Sequence, residues 1–177
     1  MRGHRCTAPQ SPHDSHLPGQ AYLDSYDYAT AIWLCERLRA ISAGTSGSAW
    51  TSASLLLAKC YYQSGKPNSA CSVLKGCSDP ESRYLYAMCC FELNRYPEAE
   101  QVLLNSTSGV GSVTDGEARD VPRGAHGYHL LGQICQRSSR RQHAIAYYKE
   151  SLKLDSFAWA SYEALCQLGP VRHTPAL

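Results

Sequence analysis

GYHLLGQICQRSSRRQHAIAYYKESLKLDS, residues 127–156, divides into two short amphipathic stretches joined by the polar turn from Arg137 to Arg141. In the first stretch Tyr128, Leu131, Gly132 and Cys135 recur at helical spacing and share one face. In the second, Ala144 and Tyr148 do the same. Gly132 and Ala144 are small where two antiparallel helices approach most closely, so bulk at either place forces the pair apart. The stretch is a helical hairpin.

Two other stretches repeat the arrangement. Leu57, Ala58 and Tyr61 precede Ala70 and Leu74, with Gly65 turning the chain and Pro67 suited to a first helical turn. Tyr86, Ala87 and Cys90 precede Ala99 and Leu103, with Pro97 in the same role. From Ala58 to Ala70, from Ala87 to Ala99 and from Gly132 to Ala144 the interval is always 12 residues. These are the places of a tetratricopeptide repeat, a unit of roughly 34 residues. The expected fold is therefore all-α, a right-handed superhelix of tetratricopeptide hairpins. Residues 1–22 read as a disordered leader, because they hold prolines, glycines and histidines without apolar periodicity. The array occupies 23–169: a helix over 25–42, hairpins over 48–76, 80–105 and 123–155, and a last helix over 157–168. A flexible Gly- and Ser-rich loop covers 105–124, and 170–177 form a tail. The last helix has no partner before Gly169 and Pro170, so the array reads as truncated, the front of a longer superhelix.

Composition limits the function classes. A net charge of +2 produces no field suited to nucleic acid or an anionic membrane. The longest apolar runs are far short of the ~20 residues that span a bilayer, and the first twenty residues lack a secretory h-region. A nuclear and cytoplasmic chain is expected, which makes the acceptor-like Asn105-Ser-Thr accidental. The nine cysteines lie mostly within apolar helical stretches, without C-x-x-C spacing, and read as free buried thiols. His4 with Cys6, and His13 with His16, fall short of the four ligands a closed zinc site needs.

The wording of the repeats carries a further resemblance. LLLAKCYYQSGKPNSACSVLKG (55–76), RYLYAMCCFELNRYPEAEQVLL (83–104), AIWLCERL (31–38) and SLKLDSFAWASYEALCQLG (151–169) resemble the N-terminal region of the cell division cycle 27 family, tetratricopeptide scaffold subunits of the anaphase-promoting complex (cyclosome). The resemblance implies a non-catalytic scaffold in a ubiquitin ligase of cell-cycle control. Its implied partners are a second copy of the chain and other subunits of the complex, with a homodimer if the N-terminal surface is complete. Activator-tail binding, a property of later repeats in the family, has no residue here to carry it. The chain departs from the family in having Ser156 where Pro is usual and no recognisable first helix before Tyr22.

No catalytic, cofactor-binding or metal residue is expected. Cys135 with His126, His129 or His143 suggests a thiol nucleophile, but Cys135 stands at a packing place and no third group orients a base. The Arg137–Arg141 run reads as a solvated turn. The alternative to a ligase scaffold is a free-standing adaptor that holds a partner peptide on its first helices. Lys59, Gln63, Cys89, Glu92, Gln133 and Gln136 are the expected partner-facing residues in that case, with Phe157 and Trp159 as an apolar end face.

Overall fold

The computed structural model describes residues 18–42, 48–104 and 121–169. The regular elements among them are all α-helices: α1 (Pro18–Asp24), α2 (Tyr28–Ser42), α3 (Ser48–Gln63), α4 (Pro67–Leu74), α5 (Pro80–Glu92), α6 (Tyr96–Leu104), α7 (Ala125–Arg137), α8 (Arg141–Leu154) and α9 (Trp159–Leu168). Each packs on the next in sequence, while the first helices of successive hairpins also touch, α1 on α3, α3 on α5 and α5 on α7. This is a tetratricopeptide solenoid. The metal-like pairs of the N-terminus, Asn105 and the 170–177 tail lie outside the described residues.

The small places sit in the core. Ala58, Ala70, Ala87, Ala99 and Ala144 are fully buried, as are Leu103, Leu131, Cys90, Cys135 and Tyr148, with Leu57 and Leu74 nearly so. Gly132 has no room for a side chain: an added Cβ would lie 2.6 Å from Cδ1 of Tyr148. At the aromatic places Tyr61 and Tyr86 are half-buried and tie their hydroxyls to carboxylates, Tyr61 to Glu36 at 2.6 Å and Tyr86 to Glu98.

The structure corrects the expected leader. Residues 18–22 belong to α1, which packs on α2 and buries Leu23. A Cβ added to Gly19 would overlap the sulfur of Cys35, as one on Gly132 would overlap Tyr148. From Gly19 to Ala31 is again 12 residues, so α1 and α2 form a fourth hairpin ahead of the three expected ones. Residues 25–27 accordingly make its turn, and helix resumes only at Tyr28.

All four hairpin turns share one backbone solution. Tyr26, Gly65, Asn94 and Ser139 each lie seven residues after the small place, and each has φ between 59° and 74°. The amide after each donates back to the carbonyl five residues earlier: Asp27 to Tyr22, Lys66 to Tyr61, Arg95 to Cys90 and Arg140 to Cys135, at 2.8–2.9 Å. This left-handed cap satisfies carbonyls that the end of a helix leaves unpaired. Only Gly65 takes the conformation without steric cost.

The expected flexible loop is also shortened. Val121 and Pro122 are buried, and Gly127 presses on the Pro122 carbonyl so closely that no Cβ fits between them. Residues 121–124 are thus the packed lead-in to α7, and 105–120 lie outside the described residues.

One charged side chain among the described residues, that of Arg83, is buried. Arg83 stands four residues before Ala87, where the next hairpin has Tyr128, and only 8% of it is exposed. Its guanidinium donates to the carbonyls of Val102 (3.2 and 3.0 Å) and Leu103 (3.2 Å) in the last turn of α6. The negative end of that helix compensates the cation, and the cation caps the helix.

Candidate protein-docking groove

Counting from the small place of each first helix locates the outward face. The positions at −3, +1, +4 and +5 follow helical spacing and lie together. On α3 they are Leu55, Lys59, Tyr62 and Gln63. On α5 they are Tyr84, Met88, Phe91 and Glu92, and on α7 His129, Gln133, Gln136 and Arg137. All of these are half-buried or exposed. Their chemistry changes along the array, from a mixture of apolar or aromatic with polar side chains on α3 and α5 to amides, an imidazole and a guanidinium on α7.

Against this register Cys89 is the misplaced candidate. It lies at +2, like Cys60 and Ile134, and all three are fully buried. That position turns toward the preceding hairpin: Cys60 is 4.0 Å from Cys35, sulfur to sulfur. Met88 takes the outward place assigned to Cys89. Lys59, Gln63, Glu92, Gln133 and Gln136 lie on the outward face, and Phe157 (94% exposed) and Trp159 (69%) lie open at the start of α9.

The face is held by polar ties between side chains. Tyr62 donates to Glu92 at 2.5 Å, joining α3 to α5. Burial and the neighbouring carboxylate push the Tyr62 hydroxyl well above its ordinary pKa, so it stays a donor. Tyr148 donates to Oε1 of Gln136 at 2.8 Å, and the Arg137 guanidinium lies 6.0 Å from the Phe91 ring centre. Behind the face, Arg140 binds Glu100 through two hydrogen bonds of 3.0 and 2.6 Å, tying the turn that starts α8 to α6.

Between α5, α7 and α9 the face deepens into a groove of about 300 Å³. Phe91, His129, Gln133, Gln136, Arg137, Glu163 and Gln167 are among the residues lining it. Glu163 and Gln167 hold the −3 and +1 places counted from Cys166, so α9 continues the register. His129 and Arg137 were absent from the expected partner-facing set. Their spacing from the neighbouring glutamines was the available signal: His129, Gln133, Gln136 and Arg137 form an i, i+4, i+7, i+8 set.

This arrangement binds rather than reacts. Cys135 is fully enclosed, and burial pushes its thiol up to about 11, so no thiolate forms near neutrality. His129 is committed to Ser161 at 2.9 Å. A second cavity of about 410 Å³ opens on Arg83, Tyr86, Glu98 and Cys77, but Arg83 caps α6 and Tyr86 is tied to Glu98. Among the described residues no three His, Cys, Asp or Glu side chains are grouped to hold a metal, and no helix is long and apolar enough to cross a membrane.

Comparison with known proteins covers the same hairpins. A family model described as "Anaphase-promoting complex, cyclosome, subunit 3" matches residues 24–106, from the end of α1 through α6, and a tetratricopeptide-repeat model matches 125–157, α7 and α8. The cell division cycle protein 27 homolog B of Arabidopsis thaliana is 35% identical over 155 residues, which are 88% of this chain and 19% of that protein. The Homo sapiens cell division cycle protein 27 homolog is 34% identical over 150 residues, 83% of this chain and 18% of that one. The chain thus spans about a fifth of the length of these relatives. Among solved structures, one described as the Cdc27 N-terminus superposes with a TM-score of 0.67 at 23% identity, covering 86% of this chain and 66% of that one, a likeness of fold. With the family match lying on the hairpins whose wording first suggested it, the chain is a Cdc27-like tetratricopeptide-repeat protein.

Proposed function

We propose that the chain is a non-catalytic scaffold arm of the anaphase-promoting complex, acting in nucleus and cytoplasm in cell-cycle control. In this reading its stacked hairpins hold other subunits of the complex and a second copy of the chain. The observation that carries it is the family match across 24–106, because the matched residues are those that build five consecutive packed helices, α2 to α6, and their turns rather than an isolated motif. The exposed aromatic groups of the α1–α2 hairpin and the entry to α9 suit assembly through protein surfaces: Tyr22, Tyr26, Trp33, Phe157 and Trp159 are all more than two-fifths exposed. Affinity purification of the tagged chain from dividing cells tests it. Ligase subunits in stoichiometric amount are the expected result, with light scattering of the purified chain giving twice the monomer mass. A monomer that brings down no ligase subunit defeats the proposal.

The second reading, a free-standing adaptor for a partner peptide, is favoured by one observation, the polar groove between α5, α7 and α9. A monomer that binds peptide there without any ligase subunit would select it.

A further inference from the structure

Beneath the groove lies a chain of hydrogen bonds whose direction can be deduced by counting protons. Ser151 Oγ lies 2.8 Å from the carbonyl oxygen of Ala125, Ser151 and Ser161 lie 2.8 Å apart, and Ser161 Oγ lies 2.9 Å from Nδ1 of His129. Both serines are fully buried, so water supplies none of the missing partners. A carbonyl only accepts, which assigns the single Ser151 hydroxyl hydrogen to Ala125. Ser151 must then accept from Ser161. Ser161, its own hydrogen spent, must accept from His129. Only one arrangement places a proton in all three contacts, and it puts the ring hydrogen on Nδ1.

Burial first, and the nearby His126 second, lower the His129 pKa, so the ring is neutral near pH 7. Its Nε2 then carries a lone pair, and this is the one polar atom of the ring left to serve the groove that His129 lines. Seven residues on, Gln136 has its carbonyl oxygen held by the Tyr148 hydroxyl, which leaves its NH2 group to donate. At 1.5 Å per residue the two stand about 10 Å apart along α7, the length of about three residues of extended chain.

We propose that the Ser161–Ser151 relay fixes His129 as a hydrogen-bond acceptor, so that the groove binds an extended peptide whose main-chain N–H meets His129 Nε2 and whose carbonyl, about three residues away, meets the Gln136 amide. Recognition of this kind reads main chain before side chain and tolerates varied partner sequences. Ser161 and Ser151 are positioning residues, acting only through the ring. The inference rests on the reading of this face as a protein-docking surface, whichever assembly it serves.

The test has two arms on the full chain. In the first, long-range ¹H–¹⁵N spectra at pH 7, with His129 assigned by its loss in His129→Phe, are expected to show Nδ1 protonated and Nε2 bare, and Ser161→Ala is expected to abolish that preference. In the second, peptides selected from a phage-displayed library of short random sequences are labelled and titrated by fluorescence anisotropy. Ser161→Ala and His129→Phe should each weaken binding about tenfold, while Arg37→Ala, on the outer side of α2, should leave it unchanged. N-methylation of one peptide amide should weaken binding to the wild type and do nothing further in His129→Phe. A proton on Nε2, or undiminished binding by folded Ser161→Ala, overturns the inference while the docking surface stands. A library that yields no groove-binding peptide overturns both this inference and the adaptor reading, and leaves the ligase reading to its own co-purification test.

Discussion

The α5–α6 and α7–α8 hairpins share a spacing and fill it in opposite ways. In the first, Ala87 faces a helix carrying Leu103. In the second, Gly132 faces Tyr148, whose ring occupies the space where a Cβ would stand. The α3–α4 hairpin follows the first solution with Ala58 and Leu74, while α1–α2 pairs Gly19 with Cys35. From α3 to α8 the fold holds combined volume at the crossing nearly constant, since interiors tolerate neither voids nor overlap, whereas the Gly19–Cys35 crossing is filled by smaller groups. Neither residue type is required alone. The two hairpins differ likewise four residues earlier, where Arg83 caps α6 and Tyr128 packs instead against Tyr147 with ring centres 6.3 Å apart.

Bulk placed in the hairpin that has no room should do the most damage. Gly132→Leu should cost about 3 kcal/mol by overpacking, while Ala87→Leu, against a smaller and more adaptable neighbour, should cost nearer 1–2 kcal/mol. Thermal or urea melts of the two variants measure this, and equal losses would dissolve the distinction. Adding Tyr148→Leu to Gly132→Ala should recover more than half of the loss from Gly132→Ala alone, converting the second solution into the first. A double-mutant cycle gives the coupling.

Replacing the buried arginine comes next. Arg83→Met keeps much of the volume but removes three hydrogen bonds to the end of α6, and should cost about 2 kcal/mol. Tyr128→Met in the other hairpin should cost nearer 1 kcal/mol, since it removes the ring contact with Tyr147 and not the cap of a helix end. Hydrogen exchange at the last turn of α6 should quicken in Arg83→Met alone.

Most of this architecture was legible because helix pairs that touch closely leave a strict interval in the sequence, and 12 residues recurred. The α1–α2 hairpin obeyed the same interval from Gly19 to Ala31, yet α1 has only seven residues and little apolar periodicity, so its signal lay in a relation between two positions rather than in either. Placing Val121 and Pro122 in a loop failed for a related reason. Their burial depends on Gly127 meeting them, a contact that local composition does not announce. On the outward face, Cys89 was misplaced although Cys60 and Ile134 stand at its place in the other copies, because polarity was weighed residue by residue instead of column by column. His129 was visible only as a lone histidine, and its partners Ser151 and Ser161 come together by tertiary packing across three helices.

The attachment of α9 has a histidine near its base. Ser161 is the one fully buried residue of that helix, and it joins the relay to His129. The folded state lowers the His129 pKa from its ordinary 6.5. The unfolded chain therefore binds the proton more readily. Stability is complete above the unfolded value and declines as pH falls below it, levelling off once the folded group also titrates. Melts between pH 7 and 5 should show this decline in the wild type and a flatter profile in His129→Asn. Thiol labelling at pH 7 should meanwhile reach Cys166, exposed on α9, well before Cys135, buried in the α7–α8 hairpin.

The smallest effect expected is also the most direct test of the shared turn. Gly65 and Ser139 occupy the same left-handed position in their hairpins, at φ of 74° and 60°, and a Cβ at Gly65 would meet nothing within 4 Å. With sterics against neighbours removed, only the backbone preference remains. Gly65→Ala should therefore destabilise by about 1 kcal/mol, and Ser139→Gly should stabilise by up to about 1 kcal/mol, less the added freedom of glycine in the unfolded chain. The two changes act at equivalent turns of different hairpins, so their effects should add in the double variant. Melts in which both shift stability the same way would mean that the left-handed cap is not what closes these hairpins, and that their interval is set by helix packing alone.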